Sequence, residues 1–308
     1  MFVTSDNLDF VPIVRHRGFD WREHLMCGVS VHSSHWPGYQ AAARFMLEAT
    51  HRCGLFNDME YASYSKSGEK RQRFIQPKSF PRLALGELKG AQDAYAVLLR
   101  GFIPTEHTEN ENFEVGGEAS LKMEHLGPYA NILVPRQSAG AHFVFPLDDK
   151  PMETAADLIQ LAADILGAEY AYSFIRDELC FPSGYACGIG APLGRTADAD
   201  AVEIDAWARF AAEPIWTGPW PKLRDLYQIN LLSERHTAEP VAGLGRLHEW
   251  IAAEPGRGAL KALGGGQLLW SLTDAEIVSV RPILNDAGLL LSCKSRVYRD
   301  LPPYPLRT

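Results

Sequence analysis

The sequence predicts an α+β fold with mainly antiparallel sheets. Three observations lead there. Strand-like and helix-like stretches follow one another as β-α-β-β rather than alternating one for one. Ser67-Gly68 and Gly264-Gly265-Gly266 each separate two β-prone runs, as hairpin turns do. The helical stretches each carry one apolar face, which asks for a sheet to lie against.

Met1 to Arg22 reads as a lead-in, and Leu25 to Val31 as the first strand. Pro37 opens a helix whose inner face is Tyr39, Ala42, Ala43, Met46, Ala49, Thr50 and Cys53. Gln40, Arg44, Glu48, His51 and Arg52 form its outer face, and Gly54 stops it. Met59 to Tyr64 and Arg73 to Ile75 make a hairpin. Leu85 to Leu99 fits a second helix, with Leu88, Ala91, Gln92, Tyr95, Leu98 and Leu99 inward, and a last strand is expected near Val115 to Met123.

The middle of the chain reads strand, helix, strand, glycine-rich turn. Ala141 to Leu147 is short, apolar and aromatic. Thr154 with Asp157 looks like a helix cap, and Ala155, Leu158, Ile159, Ala162, Ile165 and Leu166 repeat at helical spacing. Asp157, Gln160 and Asp164 fall opposite, and Gly167 is the stop. Glu169 to Ile175 is the next strand, followed by Gly184, Tyr185, Gly188 and Gly190. Trp216-Thr217-Gly218-Pro219-Trp220-Pro221 then breaks the pattern.

In the last third, Leu223 to Leu232 reads as a strand and Leu247, Trp250 and Ile251 as a short helix. Ala259 to Leu263 and Gln267 to Leu272 read as a hairpin. Thr273 and Glu276 form a capping box, Pro282 places the helix proper from about Ser279, and Leu289 to Leu291 closes as a strand. The order β-α-β-β-α-β is that of a ferredoxin-like plait. The expected units are 1–127, 128–220 and 221–308, packed as one body or two.

Composition bounds the function. Hydrophobic residues at 46% and charged residues at 22% are a globular mixture with enough core for 308 residues. No apolar run approaches the roughly 20 residues that span a bilayer, and Met1 to Arg17 lacks the pattern of an export signal. A cytoplasmic protein with reduced, buried thiols is therefore expected of Cys27, Cys53, Cys180, Cys187 and Cys293. The net charge of −8 argues against nucleic-acid binding and suits a basic protein partner.

The sequence completes none of the common catalytic signatures. His32 and His35 form H-x-x-H, and His51 lies too far along the helix to join them, so no metal site is expected. Cys187 sits among glycines without an evident base. Gly188-Ile189-Gly190 and Gly243-Leu244-Gly245 do not complete a phosphate loop, and no cofactor is expected. Charge is patterned instead. Thr105 to Glu118 carries Glu106, Glu109, Glu111, Glu114 and Glu118 without a Lys or Arg. Lys66 to Arg82 is basic, and Asp198 to Asp205 is acidic again. Each is either a solvated face or a recognition surface.

Four stretches resemble a bacterial type VI secretion immunity family: Phe143 to Leu147, Thr154 to Gly167, Ser183 to Gly188, and Leu223-Arg224-Asp225-Leu226-Tyr227-Gln228-Ile229-Asn230-Leu231-Leu232. Cys187 before Gly188 departs from the family's turn. The resemblance touches roughly half the chain. It implies stoichiometric binding and neutralisation of a toxin effector, with no catalytic residue to transfer and no membrane or nucleic-acid partner. The five glutamates are then the expected contact with a basic toxin. An enzyme using His32, His35 and Cys187, and a scaffolding component, are the other readings.

Overall fold

In the computed structural model, the described residues are 25–33, 62–66, 73–75, 95–101, 112–115, 119–122, 129–134, 139–146, 150–177 and 222–291 except 242, with 41, 44, 45, 48, 49, 82 and 185. The strands are β1 (Leu25–Ser33), β2 (Ala62–Lys66), β3 (Arg73–Ile75), β4 (Tyr95–Gly101), β5 (Asn112–Val115), β6 (Ala119–Lys122), β7 (Tyr129–Val134), β8 (Ala139–Pro146), β9 (Tyr170–Asp177), β10 (Ile229–Leu232), β11 (Ala259–Ala262) and β12 (Leu268–Ser271). The continuous helices are α1 (Pro151–Leu166), α2 (Glu234–Thr237), α3 (Leu247–Ala253) and α4 (Asp274–Asp286). The fold is α+β, and every strand pairing is antiparallel.

Ten strands form one sheet in the order β11-β12-β10-β9-β1-β8-β7-β4-β2-β3, while β5 and β6 form a separate hairpin. The sheet runs across strands from all three expected units. β8 and β9 flank β1, with α1 crossing between them, so this is a β-α-β unit split by an inserted strand. The last three strands take the order β11-β12-β10. The place beside β10 belongs to β9, and not to 289–291, which instead form a parallel bridge with Leu223. A self-contained C-terminal plait is therefore not what these strands build. The β1 neighbours are likewise β8 and β9, not the β2-β3 hairpin.

α1 begins earlier than expected. Pro151 occupies the first turn with Lys150 at the N-cap, and Thr154 lies inside the helix. Proline's fixed φ and missing N–H suit that position, so the helix starts there without a side-chain cap. Gly167 ends it at φ 61, a left-handed conformation that glycine adopts without strain. Ala155, Leu158, Ile159, Ala162 and Leu166 are buried as the periodicity requires, with Leu161 and Ala163 added, and Asp157 and Asp164 face water. Each large aliphatic side chain so buried contributes about 1.5–3 kcal/mol. At the Pro37 to Gly54 segment, residues 41, 44, 45, 48 and 49 are helical. Phe45 and Ala49 are buried, and Phe45 meets Phe143 edge-on, centroids 5.5 Å apart.

Further differences have local causes. Tyr95 to Gly101 is strand β4, not the end of a helix. The run Val97-Leu98-Leu99 is ambiguous in period, and pairing with both β2 and β7 decides it. The strand expected over Leu223 to Leu232 shrinks to β10. Before it, Asn230 and Tyr227 close a turn through Nδ2 to carbonyl (2.6 Å) and N–H to Oδ1 (3.3 Å). The strand expected near Val115 to Met123 is β6, which among the described residues pairs with β5. α4 starts at Asp274, with Pro282 inside it. Thr273 and Glu276 form the predicted capping box, and Pro282 is on the exposed face, where the carbonyl it fails to bond meets water.

Two layers cover the centre of the sheet. Cys27, Val29, Val31, Phe143 and Ala171 share one face. On that face Cys27 Sγ lies 3.8 Å from the Pro151 carbonyl of α1. On the other face Tyr170, Tyr172, Phe174, Leu232 and Trp270 meet Leu247, Trp250, Ile251, Ile277, Val280, Leu284 and Leu289 to Leu291. β10 lies between both layers, and all four of its residues are buried. Gly28 lies under the Phe174 ring: a Cβ there would come within 2.1 Å of it, so only glycine lets β9 lay an aromatic ring across β1.

Candidate functional site

Alternation along β1 places Ser30 and His32 on the face opposite α1. Register then aligns polar groups across neighbouring strands. His142 on β8 is opposite Ser30, Ser30 is opposite Tyr172 on β9, and Tyr172 is opposite Asn230 on β10. His32 is opposite Tyr170 one row over. Directly opposed residues share a face, so this is a continuous polar stripe through the middle of the sheet.

The stripe is hydrogen-bonded internally. The Ser30 hydroxyl lies 2.7 Å from His32 Nε2 and 3.0 Å from His142 Nδ1. The His32 ring lies 5.9 Å from both Tyr170 and Tyr172, whose own centroids are 5.4 Å apart, so the three rings form a triangle. Tyr227 stacks on Tyr172 at 4.5 Å, and His236 of α2 stacks on Tyr170 at 5.3 Å.

Arg224 enters this stripe from the covering layer. Its side chain is fully buried. Nη1 donates to the Tyr172 hydroxyl (2.7 Å) and to the Tyr185 carbonyl (2.7 Å), and its backbone N–H donates to the Tyr170 hydroxyl (2.8 Å). The guanidinium lies 4.0 Å over the Tyr185 ring. Next to it, Asp225 accepts from Arg281 Nε at 2.9 Å, which ties α4 to the same segment.

Burial sets the protonation of the group. His32 is held well below its ordinary pKa by burial, then by His142 and Arg224. His142 is lowered to about 4 by burial and Arg224, and His236 to about 3 by burial and Arg235. Tyr170 is raised well above the usual phenol value, chiefly by burial. His32 and His142 are therefore neutral beside the Arg224 cation, and His236 is neutral beside Arg235. His236 Nδ1 accepts from the Ser233 N–H at 3.2 Å, so its proton sits on Nε2. That atom is buried with no hydrogen-bond partner among the described residues.

A hydroxyl between two imidazoles has the makings of an activated nucleophile. Here Ser30 is wholly buried, and Tyr172, directly across from it on β9, is held by Arg224. The arrangement as it stands clamps the covering layer to the sheet.

Of the residues singled out from sequence, His32 belongs to this stripe, while His35, His51 and Cys187 lie outside the described residues. Glu114 lies on β5, opposite Ser120 on β6. Glu106, Glu109, Glu111 and Glu118 lie outside the described residues, as does Asp198 to Asp205. Sequence reasoning missed Ser30, His142, Tyr170, Tyr172, Arg224 and His236. The strict alternation Val29-Ser30-Val31-His32 was the available signal. A lone arginine within Leu223 to Leu226 was the second. Among the described residues no group of three or more His, Cys, Asp or Glu could hold a metal ion, and no helix is long and apolar enough to cross a membrane.

No family model and no curated protein matches the chain. Among solved structures, it is similar to the Pseudomonas aeruginosa T6SS protein PA0821. That likeness has 13% identity and a TM-score of 0.47, over 87% of this chain and 73% of that one. It is also similar to a chain in the crystal structure of the toxic C-terminal tip of CdiA from Pseudomonas aeruginosa in complex with immune protein. There the identity is 12% and the TM-score 0.28, over 49% of this chain and 84% of that one.

Proposed function

We propose that this is an immunity protein, which binds a cognate bacterial toxin effector and neutralises it by stoichiometric inhibition in the cytoplasm. One observation supports the reading most: the stretches that resemble the immunity family meet in one interior. Arg224 of the fourth stretch bonds the carbonyl of Tyr185 in the third. Leu231 of the fourth is opposite Ala171 on β9, beside β1, which pairs β8 of the first. α1, the second, packs on β1, β9 and β10. Stretches separated by tens of residues thus follow a single core, as an inherited scaffold would.

Stoichiometric binding asks for no catalytic residue, and a chain of net charge −8 is suited to occupy a basic surface quickly. Glu106, Glu109, Glu111, Glu114 and Glu118 are the proposed steering contact. Growth under co-expression tests the reading. The toxin encoded by the neighbouring open reading frame should arrest cells, and this protein should restore growth. Persistent arrest in the presence of soluble protein overturns it.

A further inference from the structure

α4 has two unlike faces. Ile277, Val280 and Leu284 point into the core. The outer face carries Ala275, Val278, Ser279, Pro282 and Ile283, with Val278 72% and Ile283 39% exposed. An outward helical face is ordinarily polar; here its middle is mostly apolar, and the Ser279 hydroxyl donates back to the Glu276 carbonyl at 3.0 Å. Pro282 has no N–H, so the carbonyl of Val278, four residues back, loses its helical donor and becomes an acceptor inside the apolar stripe.

The end of the stripe is electronegative. Asp286 lies in the last turn, where the helix dipole already presents its negative end and where α4 has no basic residue. Of the nearby cations, Arg281 is held by Asp225 and Lys222 donates to the Gly288 carbonyl at 2.6 Å. Among the described residues no cation pairs with Asp286. At the other end Asp274 accepts from Gln228 Nε2, so both ends of the stripe are acidic.

We infer that the outer face of α4 is a docking surface for a basic amphipathic segment of the toxin. Its apolar side covers Val278, Pro282 and Ile283, and a Lys or Arg one turn beyond reaches Asp286 and the negative helix end. The surface rests on the reading of the protein as toxin-binding and gives that reading an anchor. Covering this exposed apolar surface contributes affinity, while the surrounding charges set the rate.

The test measures binding of the toxin domain from the neighbouring open reading frame to the parent, Val278→Arg and Asp286→Lys. Val278→Arg should weaken binding by about tenfold or more, because it puts a cation into the apolar contact and against a basic segment. Asp286→Lys should weaken it several-fold and lower its salt dependence, while raising the thermal midpoint of the free protein, because a cation suits a helix C-terminus. Binding and stability then move in opposite directions, which a merely structural role does not produce. Parent-like binding by both variants overturns this surface and leaves the immunity reading standing. A parent that does not bind the toxin overturns both. Self-association of the parent that Val278→Arg abolishes would assign the face to a second copy of the chain and so contradict the inference.

Discussion

Arg224 Nη1 donates to the Tyr172 hydroxyl at 2.7 Å, with both side chains buried. The bond joins the covering layer to the central sheet, and it fixes a cation in an interior that also holds two neutral histidines. Removing Arg224 takes the Nη1 donor from the buried Tyr172 hydroxyl and the Tyr185 carbonyl, at roughly 1–3 kcal/mol for each group. Arg224→Ala should therefore lower unfolding stability by about that amount. Arg224→Met, which fills the space without a charge, should lose less. Tyr172→Phe should cost about 1–3 kcal/mol. Urea midpoints measure all three, and an Arg224→Ala protein of parent stability contradicts the clamp.

Acid should loosen the same interior. His32, His142 and His236 each have a folded pKa below the ordinary 6.5, so the unfolded chain takes up protons first. Their contribution is fully present above about pH 6.5. It is lost as pH falls through that value toward about 4 for His142 and about 3 for His236. For His142 alone the loss by pH 4 is roughly 3 kcal/mol. Urea midpoints at pH 7.5 and 4.5 should differ strongly for the parent and less for His142→Gln. An equal difference in both would remove His142 from the cause.

Gly28 makes a steric prediction. A methyl group there collides with the Phe174 ring, which is itself packed on Tyr172 and Tyr185. Overpacking of a filled core costs about 1–3 kcal/mol, so Gly28→Ala should lose that much and Gly28→Ala with Phe174→Leu should recover part of it. Thermal melts of the two variants decide.

The legible parts of the fold were those with a strong local cause. α1 was visible in its period and in Gly167, the β11-β12 hairpin in its three glycines, and the cap of α4 in Thr273 and Glu276, although Pro282 moved the expected helix start to about Ser279. The ten-strand order was not legible, because it depends on β9 rather than 289–291 pairing with β10, and nothing local distinguishes the two. β4 was misread because Leu98 and Leu99 fit either period until their partners are known. The polar stripe was half legible. Alternation put Ser30 and His32 on one face, but only register brings His142, Tyr172 and Arg224 to them. The acidic segment was visible as charge, yet only the β5 strand with Glu114 falls within the described residues.

That segment makes a kinetic prediction. Five carboxylates between Glu106 and Glu118 repel one another, and a basic toxin within about 8 Å relieves the repulsion. Replacing Glu106, Glu109 and Glu111 with Gln, and leaving Glu114 on the hairpin, should slow association and flatten its salt dependence without altering the melting temperature. Association rates at low and physiological salt measure this. Parent-like rates at low salt would make the segment an ordinary solvated face, and Asp198 to Asp205 the next candidate.

Stoichiometric neutralisation predicts a sharp equivalence point when toxin activity is titrated with purified protein. Increasing amounts of this protein should abolish the toxin's activity at an equivalence point near one molecule per molecule, with heat release saturating at the same ratio. Loss of toxin activity at a small fraction of an equivalent would show turnover, and hence an enzyme. Undiminished activity in excess protein would show no inhibition. Either result contradicts the account.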